Sequence, residues 1–485
     1  MTSQTQLPGY LRGTVLVAGA GVTGIGTVKL LHHLGIAVEL VDAHAQSLAN
    51  AQEQTGVVIR SLEEAMDRIG TYSLVVTSPG WRPDTPLLCA ALEKGCEVIG
   101  DVELCYRLDQ AQMCGKTRTW VVITGSNGKT TTTAMTTAML QAAGLAAQAV
   151  GNIGVSVAQA LMDEQRSDIF VAELSSFQLH WTKELVPDIG VLLNIAEDHL
   201  DWHGDFAAYK KAKAKVLAAP VVIVGCDDTH VQEAMEDYQR TYVCAENESK
   251  SQTIIPFRNS SPKSGEFGVH EGQFYDHAIH NMPEGSPVAG TAHIEPPGLA
   301  GIYDALAAIA VACALDCSHE AIRQALGSFQ VAPHRGQIVA RWPSHADLTG
   351  QIVAIDNSKA TNPHAADTAL SGYDSIIWVA GGQLKGADVN AIVEKYATKL
   401  KAVALLGQDR EIIAQAVREK APHALLMMTE SRDPQIAMAE VVAWSIAQAN
   451  AGDAIILAPA AASLDMYSGM AERGTMFAQA IATYT

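Results

Sequence analysis

The chain is short of positive charge: 33 lysines and arginines stand against 52 acidic residues, a formal charge of −19 over 485 residues. Binding a polyanion needs a basic footprint, so no nucleic-acid partner is expected. Long apolar runs are also missing. The longest, Ala305 to Leu315, is too short to span a bilayer and reads as a core helix, so no membrane insertion is expected. Met1 to Gly13 has neither a charged start nor an apolar stretch, so it is not expected to be a signal peptide. The eight cysteines (Cys89, Cys96, Cys105, Cys114, Cys226, Cys244, Cys313 and Cys317) form no Cys-x-x-Cys pair and no ligand spacing. They read as reduced thiols, and the expected location is cytoplasmic.

What is present is a globular composition, 48% hydrophobic and 18% charged, on a chain too long for one core. The alternation of β-branched runs with helical patterns predicts an α/β fold in three domains. Residues 1–113 form a Rossmann-like domain, 114–331 a P-loop-type ATP-binding domain on a mainly parallel sheet, and 332–485 a second Rossmann-like domain. Residues 245–297, rich in Ser, Asn, Gly, Pro and His, are expected to form irregular hairpins.

The clearest motif is Gly125-Ser126-Asn127-Gly128-Lys129-Thr130-Thr131, between the β-branched run Val121 to Thr124 and a helical Ala/Met segment. A strand turning through glycines into a helix aims unpaired N–H groups and a dipole end at one point, which suits a polyphosphate. Lys129 would sit on the phosphates of ATP and Thr130 on Mg²⁺. Ile123 stands where the general P-loop pattern has glycine, so only its shorter second half is present.

Gly19-x-Gly21-x-x-Gly24, with Asp42 closing the next strand, meets the dinucleotide fingerprint. A nucleotide-sugar offers the same pyrophosphate and ribose as NAD, and a dehydrogenase has no need of a second phosphate site that splits ATP.

Glu173 ends one predicted strand and His199 follows another, so both are candidate metal ligands beyond the carboxyl ends of a parallel sheet. The competing readings are an N-cap for Glu173 and a surface histidine for His199. Tyr209 to Lys215 carries four lysines. It reads either as a solvated basic face or as a cluster that depresses a lysine pKa until the amine is reactive.

Together these motifs resemble the ATP-dependent Mur ligases, over nearly the whole chain. Asp356-Asn357-Ser358-Lys359-Ala360-Thr361-Asn362 and Pro459-Ala460-Ala461-Ala462-Ser463-Leu464-Asp465 resemble the branch that adds D-glutamate. The resemblance implies a ligase joining D-glutamate to UDP-N-acetylmuramoyl-L-alanine through an acyl phosphate, with ATP as co-substrate and two Mg²⁺ ions, acting as a monomer. It further implies that the first domain binds the UDP-substrate and the third binds amino acid and nucleotide.

By the same resemblance, Lys129, Glu173, His199 and Lys213 are catalytic, with Thr130, Glu173, His199 and a carbamylated Lys213 at the metals. Residues 125 to 131 with Asp304, Arg335, Asn357 and Lys359 bind ATP. Gly21, Thr23, Asp42, Ser78, Gly80 and Asn152 hold the UDP-substrate, and Thr361, Lys385 and Ser463 hold D-glutamate. The third domain is expected to close about Ala332 to Gly336.

The chain departs from the family pattern in three places. Ala300, Gly301 and Asp304 replace a His-Asn-x-x-Asn string that binds adenine, Asn357 replaces an aspartate, and Met470 replaces an aromatic residue. A nucleotide-sugar-binding protein without catalysis is the reading these changes keep open.

Overall fold

The computed structural model describes residues 7–240, 252–279, 285–292, 294–343 and 351–484. Three sheets organise them. The first is wholly parallel, in the order Val58–Arg60, Val38–Val41, Thr14–Ala18, Tyr72–Thr77, Val98–Gly100. The second has nine strands. Ala147–Gly151, Ile169–Glu173, Thr119–Thr124, Ile189–Leu192, Val221–Gly225, Thr253–Phe257 and Phe267–His270 run parallel, then Gln273–Asp276 returns antiparallel and Ser286–Gly290 lies at the edge.

The third sheet begins with Gln337–Pro343, antiparallel to Gln351–Asp356. It continues in parallel through Ala454–Leu457, Ile376–Gly381, Leu400–Leu406 and Leu425–Met428. Parallel strands covered on both faces need continuous apolar runs, and Val121, Val122 and Ile123 are fully buried accordingly.

By contacts the chain falls into two compact units, residues 1–289 with 306–325, and residues 290–305 with 326–485. The first unit holds the first two sheets, and buried polar groups fasten them together. Glu103, on the helix Asp101–Gln110, accepts from the backbone N–H groups of Lys183, Glu184 and Leu185 at 2.8–3.2 Å. Arg107 donates to its other side at 2.8 Å. Gly100 packs against Trp181, whose Cβ lies only 2.9 Å from where a side chain would begin.

Two expectations need correcting. Thr253–Phe257 is a parallel strand added to Val221–Gly225, not part of an irregular hairpin, and its pattern is masked by Pro256 between the buried Ile255 and Phe257. The rest of the expected region gives one hairpin, Phe267–His270 with Gln273–Asp276; residues 245–251, 280–284 and 293 lie outside those described. The core helix is longer than the apolar run, covering Leu299–Ala314.

The tightest backbone approach in the second sheet is at Gly190, where a Cβ would lie 2.0 Å from the carbonyl oxygen of Val216. Gly190→Ala is expected to destabilise the first unit by about 2–3 kcal/mol, the cost of forcing atoms into a filled space. A melting temperature unchanged from the parent chain would contradict this packing.

Candidate active site

Parallel strands deliver their loops to one edge, and the candidate residues of the first unit lie there. The strand Thr119–Thr124 ends in Gly125-Ser126-Asn127-Gly128, and the helix Lys129–Ala142 follows. Gly128 has φ +82°, the left-handed conformation that glycine adopts without strain. The Lys129 ammonium folds back onto the carbonyl oxygens of Gly125 and Ser126 at 2.9 and 3.0 Å.

Glu173, buried at the end of Ile169–Glu173, accepts from the Thr130 hydroxyl at 2.8 Å and from the Asn152 amide at 2.9 Å. Its carboxylate therefore joins the loops of three neighbouring strands. Glu173 is not the cap of the following helix: Ser175 caps it, in a reciprocal box with Gln178. A hydroxyl and a carboxylate side by side are hard oxygen donors of the kind Mg²⁺ takes. His199 lies on a separate turn with φ +53°, its side chain half exposed, against the Phe177 ring and 3.4 Å from Asp198. The structure does not bring it into contact with Glu173.

The lysines of the helix Phe206–Ala214 and the turn after it are not one solvated face. Lys213 is only 1% exposed, and its Nζ donates to the Gly125 carbonyl at 2.6 Å. Burial drives its pKa well below the lysine range, helped by the nearby Lys129 charge. Lys215 donates to the carbonyls of Leu179, His180 and Thr182, and burial pulls it down to about 8. Lys210 pairs at the surface with Glu233.

In the first sheet, Gly19 to Gly24, Asp42 and Ser78 to Gly80 follow three adjacent strands. A Cβ on Gly24 would lie 1.8 Å from the Gly19 carbonyl, so the third glycine of the fingerprint is required for helix–strand packing. Asp42 accepts from the N–H groups of Ala20 at 2.6 Å and His44 at 2.8 Å. Burial raises its pKa, but these bonds outweigh it and leave the carboxyl below its ordinary value. Thr23 donates to Ser78 across the loops at 3.4 Å, while Gly21 and Gly80 leave open space beside the backbone.

In the second unit, the strands Gln351–Asp356, Ala454–Leu457 and Ile376–Gly381 are neighbours, and their ends carry Asn357 to Thr361, Ser463 and Lys385. Lys359 and Lys385 are exposed, Lys385 with φ +53°, and Ser463 is buried. Asp304 is buried on its helix, and Arg335 is partly exposed. Asp356, next to Asn357, is engaged within the fold: it binds His334 Nδ1 at 2.6 Å and accepts from the Ser358 N–H at 3.0 Å.

Three residues escaped the sequence reading. Asn194 holds the glycine loop in a reciprocal pair, accepting from the Asn127 N–H at 2.8 Å and donating to the Asn127 carbonyl at 3.2 Å. Tyr209 shares a hydrogen bond of 2.8 Å with Ser126. Arg473, fully buried, bonds the Ser358 hydroxyl and the carbonyls of Ser358, Gly381 and Ala461. A polar residue ending an apolar strand was a usable signal for Asn194. Arg473, beside Glu472 on a mixed helix, offered none.

Comparison with known proteins decides the family. Three family models match in order along the chain: the Mur ligase MurD-like N-terminal domain at residues 13–100, the Mur ligase middle domain at 123–312, and the Mur ligase glutamate ligase domain at 334–461. The UDP-N-acetylmuramoylalanine--D-glutamate ligase of Corynebacterium diphtheriae is 53% identical, across 98% of this chain and 96% of its own. The chain belongs to the Mur ligase family.

The Nocardia farcinica protein of the same name is 40% identical over 97% of each chain. Two solved structures share the fold. The pseudomurein peptide ligase type C of Methanothermus fervidus has a TM-score of 0.56 at 16% identity, covering 98% of this chain and all of that one. The UDP-N-acetylmuramate-alanine ligase MurC of Thermotoga maritima has a TM-score of 0.54 at 15% identity, with the same coverage. As a Mur ligase this protein is an ATP-dependent ligase of small molecules.

The Asn194 pair sets the shape of the glycine loop at residues 125–128. Asn194→Ala is expected to weaken binding of a non-hydrolysable ATP analogue about tenfold, the value of roughly one to two lost hydrogen bonds. Titration calorimetry giving the parent affinity would remove Asn194 from that role.

Proposed function

We propose that this Mur ligase adds D-glutamate to UDP-N-acetylmuramoyl-L-alanine, supplying a precursor of peptidoglycan in the cytoplasm, as a monomer. The observation that carries the reading is the shared name of relatives up to 53% identical over almost the whole chain. Thr130, Glu173, Asn152 and Lys213 all match the family pattern despite the departures at Ala300, Gly301, Asp304 and Asn357, which favours a working ligase over a nucleotide-sugar-binding protein.

In this reading residues 1–113 bind the UDP-substrate, 114–331 carry the ATPase site and 332–485 bind amino acid and nucleotide. The alanine carboxylate attacks the γ-phosphorus of ATP, forming an acyl phosphate and releasing ADP. The D-glutamate amine then attacks the acyl carbon, phosphate leaves, and the nitrogen gives up its extra proton. Lys129, released from the Gly125 and Ser126 carbonyls, offsets charge on the transferred phosphoryl group. The N–H groups of residues 125 to 131 cradle the phosphates. Asn152 orients the substrate's alanyl end beside Glu173. Gly21, Thr23, Asp42, Ser78 and Gly80 hold the uridine diphosphate. Asp304, Arg335, Asn357 and Lys359 contact the nucleotide, with Asp304 accepting from the adenine amino group. Thr361, Lys385 and Ser463 supply donors for the glutamate carboxylates.

Thr130 with Glu173, and His199 with a carbamylated Lys213, would hold two Mg²⁺ ions, which neutralise phosphate charge when bound. The buried, low-pKa Lys213 fits carbamylation: only a neutral amine adds to CO₂, losing one proton to give the carbamate anion.

Two measurements test this. Phosphate release with ATP, Mg²⁺ and UDP-N-acetylmuramoyl-L-alanine should occur with D-glutamate and not with L-glutamate, L-lysine or meso-diaminopimelate. The product should be heavier by one glutamate residue; turnover with another amino acid would reassign the substrate. In CO₂-depleted buffer activity should fall about tenfold or more, the scale of losing one electrostatic contributor, and bicarbonate should restore it. Full activity without CO₂ would reject the carbamate.

A further inference from the structure

Away from the candidate active site, the first unit gathers three metal-ligating side chains from separate elements. Asp276 ends the hairpin strand Gln273–Asp276, Cys313 lies near the end of the helix Leu299–Ala314, and His319 opens the helix His319–Ser328. A carboxylate oxygen, the thiol sulfur and an imidazole nitrogen all lie within 4.8 Å of one another. Among the described residues this is the only group of three or more His, Cys, Asp or Glu side chains so arranged. Asp276 and Cys313 are buried, 1% and 0% exposed, and His319 is partly buried.

The carboxylate is already oriented, because Asp276 Oδ1 accepts from the N–H groups of Ala278 and Ile279 at 2.9 and 2.8 Å. Burial and the neighbouring Asp276 charge both disfavour ionising the Cys313 thiol. A cation bound between them would reverse that balance.

We propose that Asp276, Cys313 and His319 form a structural site for a late-transition divalent metal, with Zn²⁺ the best fit. A thiolate and an imidazole select Zn²⁺ over Mg²⁺, which prefers oxygen alone. Two anions and a neutral imidazole cancel the charge of the ion, so the buried site carries no net charge. Binding forms a Zn–S bond as the thiol gives its proton to solvent. The ion ties the hairpin extension of the second sheet to the helices at 299–314 and 319–328. The Arg323 bond to the Val288 carbonyl, 3.0 Å, already joins the helix at 319–328 to the edge strand Ser286–Gly290 of the same sheet. Cysteine counting misses such a site, since only one of its ligands is cysteine.

The test uses the full chain, stripped with chelator under reducing conditions and titrated with Co²⁺ and then Zn²⁺. Expected is a thiolate-to-cobalt absorption band that saturates at about one ion per chain and is erased by one equivalent of Zn²⁺. Cys313→Ser should abolish the band, while Cys317→Ser should keep it. Asp276→Asn preserves an oxygen for the Ala278 and Ile279 N–H groups and should lower Zn²⁺ affinity by about 10–100-fold or more, since even outer-shell changes cost that much. His319→Gln provides a further variant if Cys313→Ser does not fold. No band, or a band that survives in Cys313→Ser, would overturn the site, as would unchanged Zn²⁺ affinity in Asp276→Asn and His319→Gln.

Discussion

The candidate centre of the first unit depends on one carbonyl oxygen. Gly125 O receives both the Lys129 ammonium at 2.9 Å and the Lys213 nitrogen at 2.6 Å. Burial first, and the neighbouring Lys129 charge second, push the pKa of the more deeply buried Lys213 well below the lysine range. The fold thereby sets two chemically identical side chains apart, Lys129 at the part-buried glycine loop and Lys213 fully buried beneath it with its pKa pushed well down. The division needs Lys213 on the inner face of its helix, the loop held down by Asn194 and Tyr209, and the second sheet's strands in register to deliver both.

Much of this was legible in the sequence because parallel sheets announce themselves. Strands such as Thr119–Thr124 and Ile376–Gly381 are continuous apolar runs followed by glycines, and the residues expected at their carboxyl ends stand there. Besides the interior strand Thr253–Phe257, five strands were not anticipated: Val58–Arg60, Val98–Gly100, Ala147–Gly151, Gln337–Pro343 and Leu425–Met428. These five are sheet edges, where one side faces no neighbour; in all but the buried Val98–Gly100 the apolar pattern relaxes, and two have only three residues.

At the site, spacing located the glycine turn at residues 125–128 and the fingerprint turn at 19–24, both of which follow from backbone shape. It failed where a side chain's role depends on a distant partner. Four lysines between 210 and 215 look alike in sequence, yet one is buried on Gly125, one caps three carbonyls, and one meets Glu233 at the surface. Glu103 and Arg473 are likewise defined by residues far along the chain.

Arg473 has a consequence of its own. Three of its four hydrogen bonds end on main-chain oxygens, those of Ser358, Gly381 and Ala461. It therefore recognises the course of three loops and largely ignores which amino acids line them. The frame beneath exposed side chains such as Lys385 is thus fixed through main-chain atoms, so the path of these loops is written by one arginine more than by the residues they carry.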